Sequence, residues 1–270
     1  MIGAFRRLVP PTIRTFLSKI GGRKGFFPRT VTLSDFARRP IRFRVSSEME
    51  RSRIVSFGSE EEFLRHFLGE VRVGDVVFDV GACLGIYAIP AALAGARVVA
   101  FEPDPSFRAA LRDNVELNGL TGLIRIIDWA VAEAKGTTTL FTDGTTGPSP
   151  SLAQVGERGA VVVGKDSLDN AIGRGDLPVP DLVKMDIEGA EILALRGMTA
   201  LLAAPRAPRR LFVELHPAFL PGFGSCVAEC ASMLDSLGYV AVSTHLRAEQ
   251  LHCVYARAAD GGTGTRDARK

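Results

Sequence analysis

Residues 76–105 read VVFDVGACLGIYAIPAALAGARVVAFEPDP, and this stretch decides the fold. The β-branched run Val76–Val80 predicts a buried parallel strand, and the apolar run 86–94 predicts a helix. Arg97–Phe101 predicts a second strand, and Glu102 follows it, 21 residues after the first glycine of the intervening turn. In such a strand–turn–helix–strand unit, an acid at the end of the second strand binds the hydroxyls of an adenosine ribose. The stretch therefore predicts a nucleoside-binding unit of a parallel sheet.

The turn in this unit reads Asp79-Val80-Gly81-Ala82-Cys83-Leu84-Gly85. A dinucleotide-binding turn needs Gly-x-Gly-x-x-Gly, but Cys83 and Ile86 occupy the second and third glycine positions. The chain has no Gly-x-x-x-x-Gly-Lys-Ser/Thr loop, so a nucleoside triphosphate site is unsupported. Asp-x-Gly-x-x-x-Gly followed by Glu-Pro-Asp resembles the class I S-adenosylmethionine (SAM) methyltransferases. SAM has no phosphate, so its turn needs less room. The alternative is an ordinary βαβ unit with a glycine turn.

Beyond Glu102 the sequence predicts further helices and strands. In order they are a helix at 105–117, a strand at 123–127, an inserted hairpin at 137–163, a short helix at 167–171, a strand at 181–186, a helix at 187–202, a strand at 211–215, a helix at 227–237, and an antiparallel pair at 239–243 and 251–256. This order favours an α/β fold with a doubly wound, Rossmann-like sheet, mostly parallel with an antiparallel C-terminal strand. The loop 143–151 of the hairpin is a candidate lid or substrate loop.

The charge is uneven and suggests three segments. Residues 1–53 hold thirteen Lys/Arg and three acids, although the whole chain carries a net charge of only +3. We expect a basic N-terminal arm at 1–40, a domain at 41–258 and a disordered tail at 259–270. The arm could contact an anionic membrane surface, a nucleic acid or an acidic substrate, or it could be a solvated leader.

The start of the domain carries weaker signals. Ile41–Val45 alternates as a strand does, and we expect 53–57 to pair with it. Ser59 and Glu62 have the spacing of a helix-capping box.

Composition excludes two classes of protein. Hydrophobic residues make up 46% of the chain, which is ample for a core, but no apolar run reaches the roughly 18 residues that span a membrane. Arg14 and Lys19 interrupt any signal-peptide stretch. The four cysteines form no paired metal pattern, so we expect cytosolic thiols and a cytoplasmic protein, with the arm allowing peripheral contact with a membrane surface.

By its motifs, the chain resembles the FkbM-type family of SAM-dependent methyltransferases over residues 41–256. The most specific piece is Lys184-Met-Asp-Ile-Glu-Gly-Ala-Glu191. The other matching stretches are 79–85, 101–104, 114–120, 195–197, 213–217 and 237–239. The resemblance implies O-methylation of hydroxyls on natural products, sugars or glycans, with SAM as the cofactor. Cys83 departs from the family, which usually has Asn there, and a side-chain contact from that position is therefore in doubt.

Thirteen residues are candidates for binding the cofactor. We expect Glu102 to bind the ribose hydroxyls and Asp128 to accept the exocyclic amine of adenine. Trp129 would pack on the adenine ring, unless it is plain core. The full set is Asp79, Gly81, Ala82, Cys83, Gly85, Tyr87, Glu102, Pro103, Asp104, Asp128, Trp129, Ala130 and Asp186.

The catalytic candidates are His216, Asp186 and Glu188, since polar residues at the carboxyl ends of parallel strands meet at one rim. His216 is the candidate base because the ordinary pKa of a histidine side chain suits a base at neutral pH. The alternative is that His216 is a strand-end residue that caps a turn. Asp186 would orient the acceptor or hold His216 in its useful tautomer, and Glu188 is the reserve base. Lys184 lies in an apolar strand, so we expect it to pair with Glu188 or Glu214.

Several alternatives remain open at this point. Glu191 could equally be a first-turn acid of the helix that follows the motif. A divalent metal held by Asp186 and neighbouring carboxylates is the rival mechanism, which we do not favour, and we assign no metal ligands. A non-catalytic SAM-binding scaffold and a nucleic-acid methyltransferase are the alternative functions. The basic arm favours the second, but the Asn/Asp-Pro-Pro-aromatic motif is absent, which weakens methylation of base amino groups.

Overall fold

The computed structural model describes residues 27–34, 36–37, 39–55, 60–147, 149–154 and 156–258. The strands are β1 Arg29–Leu33, β2 Ile41–Val45, β3 Val76–Val80, β4 Arg97–Phe101, β5 Ile124–Ile127, β6 Ala130–Val131, β7 Gly136–Phe141, β8 Ala160–Asp166, β9 Leu182–Met185, β10 Arg210–Leu215, β11 Tyr239–Arg247 and β12 Gln250–Arg257. The helices are α1 Glu48–Val55, α2 Glu61–Glu70, α3 Ala88–Leu93, α4 Pro105–Leu117, α5 Leu168–Gly173, α6 Glu191–Arg196, α7 Thr199–Ala203 and α8 Val227–Ser236, with 3₁₀ turns at Gly144–Thr146 and Leu220–Phe223. Among these helices none combines the length and apolar character needed to cross a membrane.

The central sheet has seven strands in the order β11-β12-β10-β9-β3-β4-β5. All neighbouring pairs from β10 to β5 are parallel, and β12 runs antiparallel to both of its neighbours. This confirms the predicted doubly wound α/β fold with an antiparallel C-terminal strand. From β3 the chain winds outward to β5 and then returns to β9 on the other side. The strand order therefore reverses between β3 and β9, which is where ligands bind in open sheets of this kind.

Both faces of the sheet are covered, as the apolar strands predicted. Successive residues of a strand point to opposite faces. Val77 packs in one core with Phe67 and Phe107, while its neighbour Phe78 packs in the other core with Leu195. All five residues of β3 are buried for this reason.

The first strand pair corrects one prediction. The partner of β2 is β1, paired antiparallel, and not the expected strand at 53–57. Residues 48–55 form helix α1 instead, because Ser47 Oγ accepts the Glu50 N–H at 3.1 Å and Glu50 Oε2 accepts the Ser46 N–H at 2.6 Å. The division at residue 40 stays a prediction, and β1, from the predicted arm, buries Val31 in the core. Residues 1–26, Ser59 and the tail at 259–270 lie outside the described residues.

Two other predicted elements are modified. The inserted hairpin is confirmed as the antiparallel pair of β7 and β8, and β6 adds to β8 in parallel to make a three-stranded sheet. The single helix predicted at 187–202 is divided into α6 and α7 around Gly197. A Cβ at Gly197 would lie 1.9 Å from the Ala132 carbonyl oxygen, so the chain packs there at a distance that only glycine permits.

Candidate active site

A cavity of about 190 Å³ opens where β3 and β9 end. The loop 149–152 of the inserted hairpin forms part of its wall. It is lined by the catalytic candidates Asp186 and Glu188 and by the predicted cofactor residues Gly81, Ala82, Cys83, Tyr87, Glu102, Pro103 and Ala130. The structure therefore brings most of the predicted residues, which come from several separate stretches of sequence, to one cavity.

Gly81 follows β3 and lies against Asp186, the residue that follows β9. Its φ of +81° belongs to the left-handed region, which favours glycine. A Cβ at this position would lie 1.9 Å from the carbonyl oxygen of Asp186. Gly81 and Ala82 also donate their N–H groups to the Phe101 carbonyl, at 3.1 and 3.0 Å. The first turn is thus fixed against both neighbouring strands, and any side chain at Gly81 would push β3 and β9 apart.

Glu102 is a nearly buried carboxylate on the cavity wall, with 4% of the residue exposed. Its Oε2 accepts the Cys83 N–H at 2.8 Å, and its Oε1 accepts the Asp104 N–H at 2.9 Å. Burial raises its pKa to about 7, although these two backbone donors act in the opposite direction. A carboxylate oxygen can accept more than one hydrogen bond, so each oxygen keeps capacity for a hydroxyl donor. We call residues 79–85 together with Glu102 the cofactor-side turn.

Some predicted cofactor residues do not line the cavity. Asp104 is fully buried, and its Oδ1 caps α4 by accepting the N–H groups of Ser106 and Phe107, at 2.8 and 3.0 Å. Asp128 is exposed, and Trp129 packs edge-on against Phe101 with ring centroids 5.2 Å apart.

Asp79 and Gly85 are also outside the lining; Asp79 is buried at the β3–β9 contact, and Gly85 lies against Leu111. A contact of any of these residues with the cofactor stays a prediction.

Lys184 is buried at the centre of the site, with 3% of the residue exposed. Its Nζ lies 3.7 Å from Asp79 Oδ1 and 3.5 Å from Asp186 Oδ2, and it packs over the Tyr87 ring at 4.7 Å. The expectation that it pairs with Glu188 or Glu214 is wrong, because the register of β3 and β9 sets Asp79 directly opposite Lys184. Burial alone would lower the pKa of Lys184, but the two carboxylates outweigh it and raise that pKa.

His216 follows β10 and is also buried, with 2% of the residue exposed. Its Nδ1 lies 2.8 Å from Oε1 of Glu191, the fully buried first residue of α6. The same Glu191 oxygen accepts the Gly189 N–H at 3.0 Å, which identifies it as an acceptor and Nδ1–H as the donor. Glu191, rather than Asp186, therefore fixes the tautomer of the His216 ring. The sequence signal for this residue was its place in the Asp-x-Glu-Gly-Ala-Glu stretch.

The other ring nitrogen of His216 faces two carboxylates. Nε2 lies 3.7 Å from Asp186 Oδ1 and 3.5 Å from Glu188 Oε2, and it has no hydrogen-bond partner among the described residues. Glu188 has a left-handed φ of +54°, a strained conformation for a residue with a side chain. We call Asp186, Glu188, Glu191 and His216 the acid–histidine cluster.

The electrostatics of this cluster distinguish its members. Burial lowers the pKa of His216, but the hydrogen bond that it donates to Glu191 and the charges of Asp186 and Glu188 raise that pKa to about 9 overall. Burial and the charge of Asp186 raise the pKa of Glu188 to about 7. When only the described residues surround it, the His216 imidazole is therefore protonated at neutral pH. The Glu188 carboxyl titrates near neutral pH.

The loop of the inserted hairpin is attached to the site at two places. Ser151 Oγ donates to the Glu188 carbonyl at 3.1 Å. Arg53 from α1 lines the cavity and donates to the carbonyls of Thr145 and Gly147, at 3.2 and 2.7 Å. The loop thus lies beside the acid–histidine cluster, as expected for a substrate loop, and its role as a lid stays a prediction. Sequence reasoning missed Arg53 and Glu60 as cavity residues, and no motif marks either.

The residues of the cavity fit the cofactor that the motifs imply. Glu102 offers two carboxylate oxygens for paired hydroxyls, and Gly81 leaves the room that a side chain would fill. Pro103, Ala130 and Leu140 supply the apolar wall that an adenine ring needs.

The comparisons with known proteins agree with this geometry. A model of the methyltransferase FkbM domain matches residues 79–241. The hexuronic acid methyltransferase AglP of Haloferax volcanii is 30% identical over 198 residues, which cover 72% of this chain and 77% of that protein. The 31-O-demethyl-FK506 methyltransferase FkbM of Streptomyces tacrolimicus is 29% identical over 195 residues, which cover 66% of this chain and 73% of that protein.

Solved structures also resemble the chain. The methyltransferase FkbM from Methylobacillus flagellatus KT aligns with a TM-score of 0.49 and 16% identity, over 78% of this chain and 56% of that one. The magnesium protoporphyrin IX methyltransferase ChlM from Synechocystis PCC 6803, with bound SAM, aligns with a TM-score of 0.46 and 16% identity, over 76% of this chain and 84% of that one.

Proposed function

This chain belongs to the FkbM methyltransferase domain family, and on that premise we propose that it methylates a hydroxyl oxygen of a sugar, glycan or natural product. It is a SAM-dependent methyltransferase. The observation that carries the acceptor assignment is the shared cavity: the cofactor-side turn and two carboxylates of the acid–histidine cluster line the same space. A relative acts on hexuronic acid and another is a 31-O-demethyl-FK506 methyltransferase, and both names support an oxygen acceptor.

SAM supplies a methyl group on a sulfonium whose departing thioether is neutral and a good leaving group. The protein must therefore align the acceptor oxygen, exclude water and remove the hydroxyl proton. Glu188 lines the cavity with a pKa of about 7, which suits a base near neutral pH. We place Glu188 before His216 in this role, because His216 does not line the cavity and its pKa of about 9 keeps it protonated. Asp186 orients the acceptor, and His216 positions Glu188.

The test measures methyl transfer from labelled SAM to hydroxyl-bearing sugars, with the product identified by mass spectrometry and by its stability in alkali. We expect an alkali-stable methyl ether. Glu188→Gln should lower turnover by about 10²–10⁴-fold, the contribution of a positioned base, and should leave SAM affinity unchanged. Glu133→Gln, on an exposed acid paired with Lys165, is the matched control and should turn over normally.

Other outcomes would replace parts of the proposal. An alkali-labile product with normal turnover in Glu188→Gln would mean a carboxylate acceptor, since an ionised carboxylate needs no base. SAM binding without transfer to any acceptor would favour the non-catalytic scaffold. Methyl transfer to nucleic acid alone would favour the nucleic-acid methyltransferase.

We extend the proposal to a cytoplasmic location, supported by four free cysteines. The basic N-terminal arm, through residues 1–26 that precede β1, would contact an anionic surface. Binding of the full chain to anionic vesicles should then fall steeply with added salt, and deletion of residues 1–26 should abolish it without changing SAM affinity. Deletion that leaves vesicle binding intact would remove this role.

A further inference from the structure

The acid–histidine cluster has the donor atoms of a metal site. Asp186, Glu188 and His216 each offer one ligand atom, and these three atoms all lie within 4.8 Å of one another. The distances from Nε2 to the two oxygens are 3.7 and 3.5 Å. Ligand atoms that share a cation at about 2.0–2.2 Å are about 3.0–3.6 Å apart in octahedral or tetrahedral geometry. The 3.5 Å distance falls within this range and the 3.7 Å distance lies just above it, whereas both exceed the roughly 2.7–3.2 Å of ordinary N–H···O hydrogen bonds.

The orientation of the histidine gives an independent reason. Nδ1–H donates to the buried Glu191, which leaves Nε2 as the ring nitrogen directed at the two carboxylates. Nε2 is buried and has no hydrogen-bond partner among the described residues. Nε2 faces negative oxygens favourably only with a proton or a metal cation between them, and a bound metal cation would replace the proton. A carboxylate that fixes a histidine through its other nitrogen is also the usual second-shell arrangement of metal-binding histidines.

The remaining groups around the cluster leave these donors available. Lys184 takes the other oxygen of Asp186, Oδ2, at 3.5 Å, so Oδ1 stays directed at His216. Glu214 lies 3.9 Å from Nε2 and is itself engaged by His252 at 3.2 Å and by Arg247 at 3.7 Å. Glu188 adopts a left-handed φ, and its Oε2 lies 3.5 Å from His216 Nε2.

We propose that Asp186, Glu188 and His216 bind one divalent cation, of the Mn²⁺ class that accepts both imidazole and carboxylate ligands, and that this cation binds the acceptor hydroxyl. The inference rests on the proposed function. The acceptor hydroxyl gives its proton to the second carboxylate oxygen of Glu188. Its oxygen then forms the O–CH₃ bond as the S–CH₃ bond breaks, and the sulfur leaves as a neutral thioether. A bound cation favours this proton loss by stabilising the negative oxygen.

The experiment titrates Mn²⁺ into the full-length protein and follows binding by electron paramagnetic resonance. We expect one saturable Mn²⁺ per chain, with a pulsed-resonance coupling to a histidine nitrogen. His216→Gln should remove the nitrogen coupling, and Glu188→Gln should keep it while weakening binding at least tenfold. Glu191→Gln should weaken binding by about 10–100-fold, as the loss of a second-shell partner does. His245→Gln, at an exposed histidine on β11, is the matched control and should change nothing.

Retained SAM affinity shows that each variant is folded, and Glu188→Gln tests the site if His216→Gln does not fold. Methyl transfer that stops in chelator and returns with Mn²⁺ would support the proposal. Absent Mn²⁺ binding, with methyl transfer unchanged in chelator, would overturn the cation and leave the proposed function intact. Mn²⁺ binding with unchanged affinity in both His216→Gln and Glu188→Gln would also overturn the site. Specific Mn²⁺ binding with no transfer to any hydroxyl would instead refute the proposed function.

Discussion

The cofactor-side turn and the acid–histidine cluster lie on the same cavity but satisfy their polar atoms in different ways. In the turn, both oxygens of Glu102 accept backbone N–H groups from residues at most 19 positions away in the chain. In the cluster, side chains meet other side chains, such as His216 and Glu191, and Nε2 of His216 has no hydrogen-bond partner among the described residues. A carboxylate held by backbone donors is a preorganised binding group. Side chains with unsatisfied capacity are where chemistry or ion binding takes place.

Two residues connect these regions. Lys184 contacts the carboxylates of Asp79 in the turn and Asp186 in the cluster, and Gly81 lies against the Asp186 carbonyl. A change at either residue should therefore disturb both regions, whereas a change within one region should leave the other intact. The predictions below test this distinction, from the largest expected effect to the smallest.

Replacement of the buried lysine should have the largest effect. Lys184→Met leaves the buried carboxylate of Asp79 and the half-buried carboxylate of Asp186 without their cation, which should lower the free energy of unfolding by about 3–5 kcal/mol. Lys165→Met is the matched control, because its pair with Glu133 is partly exposed and is worth about 0.2–1 kcal/mol. Urea denaturation of both variants measures the difference. Equal losses would show that the Lys184 contacts do not hold the two regions together.

Gly81→Ala should come next. A left-handed φ costs a residue with a side chain about 1–3 kcal/mol, and the contact with the Asp186 carbonyl adds to that cost. Gly119→Ala is the control, since Gly119 has a φ of +67° with no atom near its missing Cβ. Thermal unfolding should show a clearly larger loss for Gly81→Ala, together with loss of SAM binding. If both alanine variants unfold alike, the close approach of β3 and β9 is not what requires glycine.

Glu102→Ala tests the turn alone. Removal of charged hydrogen bonds to the ribose should weaken SAM binding by about 1.5–3 kcal/mol, measured by calorimetry. The affinity for Mn²⁺ should stay unchanged, because Glu102 is not part of the acid–histidine cluster. The control Glu116→Ala, at an exposed position of α4, should bind SAM normally. Unchanged SAM affinity in Glu102→Ala would remove the ribose contact from the proposed site.

The pH dependence of SAM binding should be the smallest effect. Glu102 has a pKa of about 7, raised from 4.5 mainly by burial, and only its ionised form accepts both hydroxyls. Affinity should therefore fall about tenfold from pH 8 to pH 6, as the ionised fraction falls. In Glu102→Gln the same titration should be flat over this range. A wild-type affinity that does not change with pH would show that Glu102 is ionised throughout.

Motifs with short sequence separation predicted the fold well. The strand β3, the helix α4 and the order of the elements along the chain follow from apolar runs and turn residues that act within a few positions. The exception is α1, where a strand was expected. Its Ser47-x-x-Glu50 capping signal is as local as the one assigned to Ser59 and Glu62, and it marks the start of the helix.

The sequence predicted part of the residues that line the cavity, but it did not predict how their side chains pair. The sequence alone determined which residues lie at the carboxyl ends of the strands, because apolar runs and the turn residues that follow them mark where each strand ends. Only the tertiary structure decided that Lys184 faces Asp79 and that Glu191 holds His216. Strand register and the direction in which α6 leaves β9 set these contacts. They join residues 25 or more positions apart, for which a single sequence carries no distance information.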